Sequence, residues 1–553
     1  MNAAALTFPD LITRLTADTL GSLAPFAPEL CVVATILSLL LVRLLGLDRW
    51  LPGGLVAVAG TVVALGLSIW QFGWFNDTAD VSRPLFTQLL TYDPFTVFFR
   101  IFLLLFLLFV IWLTLLTGIP DAEDAPDFYT LLLGSTLGML LMVSANNLLM
   151  MFLAIEMTSV PSYAMAGFLK GRKTSSEAAL KYVIYGAGAA GVMLYGLSLL
   201  AGILGTAQLP EMAVGLSQVV SGGASFSQPE FRTLVLGLLM VLVGIAFKLS
   251  LFPFHFWCPD VFEGAAAEVA GFLSVASKGA AFALLIRFLL AFSGGAQAPL
   301  AASHPLYMHL GLALSLVAVV TTTFGNLAAY AQTNIKRLLA YSTIAHAGYM
   351  LMAVGAMMVL LNGPSGAMYS GNTRIEAAAD AIQGLLYYLV VYFFMNLGVF
   401  AIVAFVRNAS FGPQRTGEDL ADYRGLAKQS PLLAVCLLIC VFSLIGLPPF
   451  GGFWGKFMVF YSVLAAAKAH WVMWLVLVAG LFNTAFSLYY YLKVLKLAFI
   501  EERPTEARDV ELAPSLDVSC YALAVTIPVV LLGVVVDPLS RVAREVASWL
   551  LQA

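Results

Sequence analysis

The sequence predicts an all-α, polytopic membrane protein with about fourteen transmembrane helices, and two observations support this fold class. The first is composition, since 61% of the 553 residues are hydrophobic and 11% are charged, whereas soluble domains carry about 25% charged residues. The second is length, because runs of ~20 apolar residues, each long enough to cross a bilayer as a helix, use nearly the whole chain. We therefore expect no separate soluble domain.

The apolar runs define the predicted transmembrane helices in chain order. The first twenty residues lack a basic segment followed by an apolar core, so we expect no cleaved signal peptide. The predicted helices comprise residues 28–45, 53–75, 92–117, 127–144, 146–169, 177–204, 232–257, 264–292, 307–330, 335–360, 381–406, 431–461, 472–500 and 517–537.

Basic residues are distributed unevenly between the two sides of these helices, which sets the predicted orientation. They concentrate in the connections after the first, fifth, ninth, eleventh and thirteenth helices, which include Arg43, Lys170 and Lys428. The asymmetry places those connections in the cytoplasm and both termini outside it. One connection on the predicted cytoplasmic side, 121–127, is acidic instead, but acidic residues contribute little to this rule.

The segment KLSLFPFHFW, residues 248–257, follows the apolar run 234–247 within the seventh predicted helix. Pro253 has no backbone N–H and its ring collides with the carbonyl one turn earlier, so the helix should break there. Lipid cannot satisfy the freed backbone groups, so a break at this depth implies surrounding protein or water. Lys248 adds a cost of ~2.5–3.5 kcal/mol at a helix centre. We expect a helix with both features to be functional.

A second segment, LPPFGGFW at residues 447–454, resembles LFPFHFW at 251–257 and carries a predicted break at Pro448 and Pro449. The two breaks lie in the seventh and twelfth helices, and this odd separation gives the helices opposite orientations, as in an inverted repeat. Interrupted helices in corresponding positions of two halves indicate an ion path at the membrane midplane. The predicted organisation is helices one to three in 1–126, a first five-helix repeat in 127–292, an inverted second repeat in 307–500, and helix fourteen in 501–553.

Among the ionisable residues inside the predicted helices, five are singled out as relay candidates, because such residues are rare within a membrane and mark proton relays or ion paths. The alternative is a set of structural ion pairs, for instance between Glu156 and Lys181 or Lys248. One acid cannot neutralise four lysines in pairs, so a proton path is the favoured interpretation. The five residues are Glu156, Lys181, Lys248, Lys278 and Lys456.

Lysine chemistry suits a proton path, because burial disfavours the charged form of the side chain and a nearby carboxylate favours it. Glu156 with Lys181 or Lys248 is therefore predicted to form a switching pair. Two histidines are secondary relay candidates, His255 and His346. For His346, a hydrogen bond that packs two helices together is an equally good explanation.

The five cysteines are scattered along the chain. Cys436 and Cys440 share a helix face, but no histidine or further cysteine lies nearby in the sequence, so we expect packing rather than a zinc or iron–sulfur site. No metal site is expected.

Several motifs together resemble subunit N of NADH-quinone oxidoreductase, the subunit-2 family of respiratory complex I, and the likeness covers roughly residues 25 to 540. The resemblance implies fourteen helices with inverted five-helix repeats, related to Mrp-type cation/proton antiporters. The motifs are PSYAMAGF at 161–168, SEAALKY at 176–182, KLSLFPFHFWCPD at 248–260, QTNIKRLLAYS at 332–342 and LPPFGGFWGK at 447–456.

The resemblance also implies roles for particular residues. The essential glutamate of the family matches Glu156, and its lysines on helices six, seven, eight and twelve match Lys181, Lys248, Lys278 and Lys456. Lys278 would be the central relay and Lys456 the exit-side or inter-subunit relay. The M-type subunit usually carries glutamate on helix twelve, so Lys456 favours the N type. The segments around 206–230 and 362–376 are longer than the usual loops of the family.

The implied function is proton translocation across the bacterial inner membrane as a subunit of the oxidoreductase, with no redox cofactor in this chain. NADH, FMN, iron–sulfur clusters and quinone are expected in partner subunits, and the partners are the M-type and the small K, J and A-type membrane subunits. No nucleic acid partner is expected. An Mrp-type sodium/proton antiporter and a non-pumping membrane scaffold are the alternatives. Sodium-dependent transport by the isolated chain would favour the first, and normal pumping without the lysines would favour the second.

Overall fold

A computed structural model describes nine stretches of the chain, and structural statements below refer to these residues. They are 8–47, 50–75, 82–121, 123–221, 226–293, 305–363, 371–409, 417–502 and 514–552. The α-helices are α1 (Phe8–Leu23), α2 (Ala27–Leu44), α3 (Gly53–Phe75), α4 (Pro94–Thr117), α5 (Ala125–Ser144), α6 (Leu148–Ala166), α7 (Lys173–Leu204), α8 (Leu209–Ser221), α9 (Pro229–Leu249), α10 (Trp257–Gly264), α11 (Ala267–Ser293), α12 (Pro305–Ala329), α13 (Ile335–Asn362), α14 (Gly371–Ala409), α15 (Leu426–Gln429), α16 (Pro431–Ile445), α17 (Gly451–Ala467), α18 (Val472–Phe499), α19 (Leu516–Val534) and α20 (Asp537–Gln552).

The predicted class, an all-α polytopic membrane protein, is confirmed. Within the described stretches, thirteen helices are long and apolar enough to cross a membrane. The predicted run 431–461 is divided into α16 and α17, of 15 and 17 residues, so a fourteenth crossing by this interrupted pair stays a prediction.

Three amphipathic helices were not predicted, namely α1, α8 and α20. Each carries polar residues along one side, so none forms the continuous apolar run from which the transmembrane helices were predicted. In α20, for example, the buried residues Ala543, Val546, Ala547 and Leu551 recur at helical spacing. Helix α8 occupies much of the long segment 206–230, whereas residues 364–370 of the other long segment lie outside the described residues.

A short β-hairpin also departs from the helical prediction. Strands β1 (Arg83–Leu85) and β2 (Leu90–Tyr92) pair antiparallel between α3 and α4. The backbone N–H of Phe86 donates to Ser22 Oγ (3.0 Å) and that of Thr87 donates to Asp18 Oδ2 (2.7 Å). These bonds satisfy two donors of a turn that cannot pair in the hairpin, and they attach α1 to it.

The acidic connection 121–127 lies beside basic residues of neighbouring connections. Lys170 Nζ is 2.8 Å from Asp124 Oδ1, and Arg43 pairs with Asp127. The hydrogen bond and the charge of Asp124 raise the pKa of Lys170. The connections after α2, α4 and α6 therefore meet on one side of the bundle, where Asp124 and Asp127 form ion pairs with basic neighbours.

Helices α11, α13 and α14 form the centre of the bundle. The most apolar window of α11 is completely buried within the protein and those of α13 and α14 are 94% buried, compared with 28% for α7 at the periphery. Lys278 lies midway along α11 and is therefore surrounded by protein rather than lipid.

Candidate functional site

The first interrupted helix ends at Leu249, four residues before Pro253. Ser250 adopts a left-handed conformation (φ 57°), and the N–H of Leu251 donates to the carbonyl of Ala246 (2.9 Å). This pattern is a Schellman ending, which satisfies carbonyls deeper in the last turn. The chain then remains irregular until α10 begins at Trp257, whose indole N–H donates to the carbonyl of Phe247 (2.9 Å).

The second interrupted helix ends in the same way. Helix α16 stops at Ile445, Gly446 is left-handed (φ 91°), and the N–H of Leu447 donates to the carbonyl of Phe442 (3.1 Å). Pro448 and Pro449 follow before α17 begins. A Cβ at position 446 would lie 3.0 Å from Lys456 Cδ, so glycine suits both the backbone angle and the passage of that side chain.

A lysine ammonium contacts the last carbonyl of each interrupted helix. Lys278 Nζ donates to the carbonyl of Leu249 (3.2 Å), and Lys456 Nζ donates to the carbonyl of Ile445 (2.9 Å). Carbonyls at a helix C-terminus have no partner in the helix and carry partial negative charge, so they stabilise a cation. Each break therefore provides a site for a buried lysine, and neither lysine forms an ion pair with a carboxylate among the described residues.

Lys248 lies at the end of the first half-helix and donates to Ser159 Oγ (3.0 Å). Both side chains are buried. Glu156 is half-buried one turn earlier on α6 and interacts electrostatically with Lys248, although it forms no direct ion pair among the described residues. The carboxylate therefore acts on Lys248 from beyond contact distance.

Of the two lysines predicted as alternative partners of Glu156, Lys181 pairs with other carboxylates in this structure, and Lys248 is the one on which Glu156 acts electrostatically. Lys181 Nζ lies 2.7 Å from both Glu177 Oε1 and Asp260 Oδ2. Asp260 also accepts from Arg337 Nη1 (2.6 Å). The physical reason is the position of Lys181, which is partly exposed in the third turn of α7. There its ammonium reaches Glu177 on its own helix and Asp260 on α10. This cluster joins α7, α10 and α13.

The two candidate histidines have different surroundings in the structure. His346 Nδ1 lies 2.7 Å from the hydroxyl of Tyr388, and its Nε2 lies 3.1 Å from that of Tyr491, which also contacts Ser342. Lys278 and Lys456 both act electrostatically on this ring. His255 instead packs among aromatic rings, and its Nδ1 has no partner in the described part of the chain.

Sequence reasoning missed four buried ion pairs. The partners are far apart in the chain, so no local pattern joins them, although an arginine seven residues into α4 was a visible signal for one of them. These pairs are Glu29–Arg100 (2.7 Å), Asp93–Arg287 (2.7 Å), Glu268–Arg407 (2.9 Å) and Lys336–Glu418 (2.9 Å).

Metal ligation is not visible in the described stretches, where no group of three or more His, Cys, Asp or Glu side chains could hold an ion. Cys436 and Cys440 are buried and unbridged in α16. Since both nitrogens of His346 contact tyrosine hydroxyls, the chemistry available at the site is proton binding by lysine, histidine and hydroxyl groups.

Comparison with known proteins identifies the class of membrane protein to which this chain is similar. Residues 145–487 match the family described as "NADH:quinone oxidoreductase/Mrp antiporter, TM". The chain is similar in fold to a chain of the Mrp complex from Dietzia sp., with a TM-score of 0.74 and 19% identity over 95% of this chain and 97% of that one. The interrupted helices and buried lysines therefore belong to an antiporter-like membrane subunit.

More similar relatives define the particular family. The chain is 38% identical to NADH-quinone oxidoreductase subunit N 2 of Sorangium cellulosum over 96% of this chain and 99% of the relative. It is also 38% identical to subunit N of Anaeromyxobacter sp., covering 81% and 82%. A chain of respiratory complex I from Thermus thermophilus aligns with a TM-score of 0.69 and 30% identity, covering 93% and 98%. This chain belongs to the NADH-quinone oxidoreductase subunit N family.

Proposed function

We propose that this chain is a proton-translocating membrane subunit of NADH-quinone oxidoreductase. The observation that carries the proposal is the pair of interrupted helices, each of which presents its last carbonyl to a buried lysine, Lys278 or Lys456. A helix interruption inside a membrane is tolerated only where it lines a protein or water-filled path. Buried lysines without a contacting carboxylate are suited to taking up and releasing protons.

The proposed path runs from Glu156 and Lys248 through Lys278 and His346 to Lys456. At each step a proton leaves a charged donor, either a lysine ammonium or the His346 imidazolium, and binds the lone pair of the next neutral amine or imidazole, directly or through a hydroxyl. A change in charge at Glu156 alters the stability of the charged Lys248, and the effect then passes to Lys278, which contacts the neighbouring Leu249 carbonyl. Lys181 is proposed to act at the edge of this path by holding α10 in place.

Energy for the path is proposed to come from NADH oxidation and quinone reduction in partner subunits, which would hold NADH, FMN, iron–sulfur clusters and quinone. The proposed partners are the M-type and the small K, J and A-type membrane subunits. The two Schellman endings with a lysine on the last carbonyl support the proposed inverted repeats, 127–292 and 307–500.

The function is tested in the assembled complex reconstituted into vesicles. We expect NADH-driven proton uptake that does not depend on sodium, and a strong reduction after Lys456→Ala because that lysine ends the path. Uptake is normalised to assembled complex and to NADH oxidised. The matched control is Lys428→Ala, since Lys428 is exposed and pairs with Glu502 outside the bundle. Sodium-dependent transport would support the Mrp-type alternative, and unchanged uptake in the Lys456 variant would support a scaffold.

Localisation is proposed to be the bacterial inner membrane, with both termini on the periplasmic side. After replacement of the exposed Cys520, a cysteine introduced at Lys173 or at Thr373, both of which are exposed, should react with an impermeant thiol reagent from opposite sides of the membrane. Position 173 should be labelled only from the cytoplasm and position 373 only from outside, because an odd number of predicted membrane crossings separates the two connections. Labelling of both from the same face would overturn the proposed orientation and the inverted repeat.

A further inference from the structure

Lys456 has a second contact besides the carbonyl of Ile445. Its Nζ lies 4.5 Å from the centroid of the Tyr349 ring, and both side chains are buried. An ammonium within about 6 Å of an aromatic centroid is attracted by the negative face of the ring, and the attraction grows when water is excluded. Among the described residues, no carboxylate forms an ion pair with Lys456. The ring face and one carbonyl therefore stabilise its charge.

The Tyr349 ring is held in place by polar side chains on two other helices. Asn326 Nδ2 on α12 lies 3.4 Å from the Tyr349 hydroxyl, and Thr484 Oγ1 on α18 lies 3.5 Å from it. These bonds attach the hydroxyl end, which leaves the ring face free to meet the ammonium.

Asn326 is itself fixed by further hydrogen bonds. Its Nδ2 donates to the backbone carbonyl of Asn483 (3.0 Å), and its Oδ1 accepts from the hydroxyl of Tyr490 (3.1 Å). Asn483 Nδ2 donates to Thr323 Oγ1 (2.9 Å). Such side chains between membrane helices commonly serve as packing contacts. Here the Asn326 and Thr484 side chains also contact Tyr349, which is the one tyrosine in the described residues whose ring lies against a lysine ammonium.

We propose that Tyr349 is a catalytic residue of the proton path, and that its ring face binds the charged form of Lys456. Asn326 and Thr484 bond its hydroxyl and assist in orienting the ring, which an edge contact with the Phe460 ring (centroids 6.1 Å apart) also holds. The attraction between ammonium and ring exists only while Lys456 carries its proton, so Tyr349 distinguishes the two states of the lysine. This inference rests on the proposed function, because it assigns a part of the same path.

The test compares side chains at position 349 in the assembled complex, with NADH-driven proton uptake normalised to assembled complex. Tyr349→Phe keeps the ring and loses the hydroxyl, so uptake should stay within about twofold of the parent. Tyr349→Leu and Tyr349→Met remove the ring, and uptake should fall about tenfold or more, the effect of losing a desolvated cation–π contact. Two ring-free variants are used so that a packing defect in one does not decide the result.

Tyr307→Leu is the matched control, because Tyr307 is also buried and bonds a carbonyl through its hydroxyl (3.0 Å) but lies on α12 away from the lysines. Its uptake should remain near the parent value. In a Lys456→Ala background, Tyr349→Leu should cause no further loss, since the two side chains act as a unit.

Two results would overturn the inference while the proposed function stands. One is a Tyr349→Phe variant as impaired as Tyr349→Leu, which would assign the role to the hydroxyl. The other is parental uptake in both ring-free variants while Lys456→Ala is inactive. Parental uptake in Lys456→Ala itself would instead overturn the proposed function, and this inference with it.

Discussion

Lys278→Ala is expected to reduce proton transfer through this chain by about 100-fold or more, the range typical of losing a general acid–base group. Lys278 is the lysine at the centre of the bundle, on the completely buried helix α11, and its ammonium contacts the carbonyl freed at the first break. The measurement is the number of protons taken up per NADH oxidised by reconstituted vesicles, and electron transfer should slow too if the two processes are tightly coupled.

Arginine at this position should not restore transfer, because its guanidinium does not give up a proton in proteins. Lys181→Arg is the matched control, since Lys181 forms ion pairs with Glu177 and Asp260 that arginine can also make. We expect that variant to pump nearly normally. Full pumping by Lys278→Arg would rule out a relay role, and failure of Lys181→Arg would return Lys181 to the path.

Glu156→Gln is expected to leave an assembled complex with severely impaired pumping. Glutamine keeps the shape and the hydrogen-bonding capacity of the side chain but removes its charge, so the substitution tests the switch and not the packing. Two opposite charges at 4 Å interact by about 4 kcal/mol at an effective dielectric near 20. Because Glu156 lies beyond contact distance from Lys248, the coupling should be weaker than this.

Glu156→Asp should give an intermediate rate, since it keeps the charge at a shorter reach. The control is Glu177→Gln, because Glu177 is exposed and pairs with Lys181 at the edge of the bundle. Both are measured as proton uptake per assembled complex. If Glu156→Gln pumps at the parent rate while Lys248→Ala does not, the carboxylate is a structural partner and not the switch.

Much of the membrane architecture follows from local sequence. Lipid imposes a strong constraint, since each crossing must satisfy its own backbone hydrogen bonds and present apolar side chains. Apolar runs such as 92–117 and 127–144 therefore predict helices α4 and α5 closely. The same reasoning identified both interruptions, because proline within an apolar run removes a donor whatever lies around it.

Helix α20 and the polar ends of α14 are two features that the local sequence did not predict. Helix α20 is stabilised by contacts of Val546 and Leu551 with the bundle, and its polar side gives it no apolar run of membrane length. Helix α14 extends from Gly371 to Ala409, well beyond the predicted 381–406, because its polar ends remain helical against neighbouring elements. Both results depend on burial, which the neighbours of a residue in space determine.

The sequence by itself determined that this protein is polytopic, that two apolar helical runs are interrupted, and that Lys248, Lys278 and Lys456 lie on apolar helices. Only the tertiary structure decided what each of them contacts. Lys181 meets Asp260 rather than Glu156, Lys278 meets the end of another helix, and Lys456 meets the ring of Tyr349. Hydropathy and proline act locally on the backbone, so the apolar helices and their interruptions can be predicted from the sequence. Charge pairing and ring contacts join residues that are distant along the chain, so helix packing alone selects the partners.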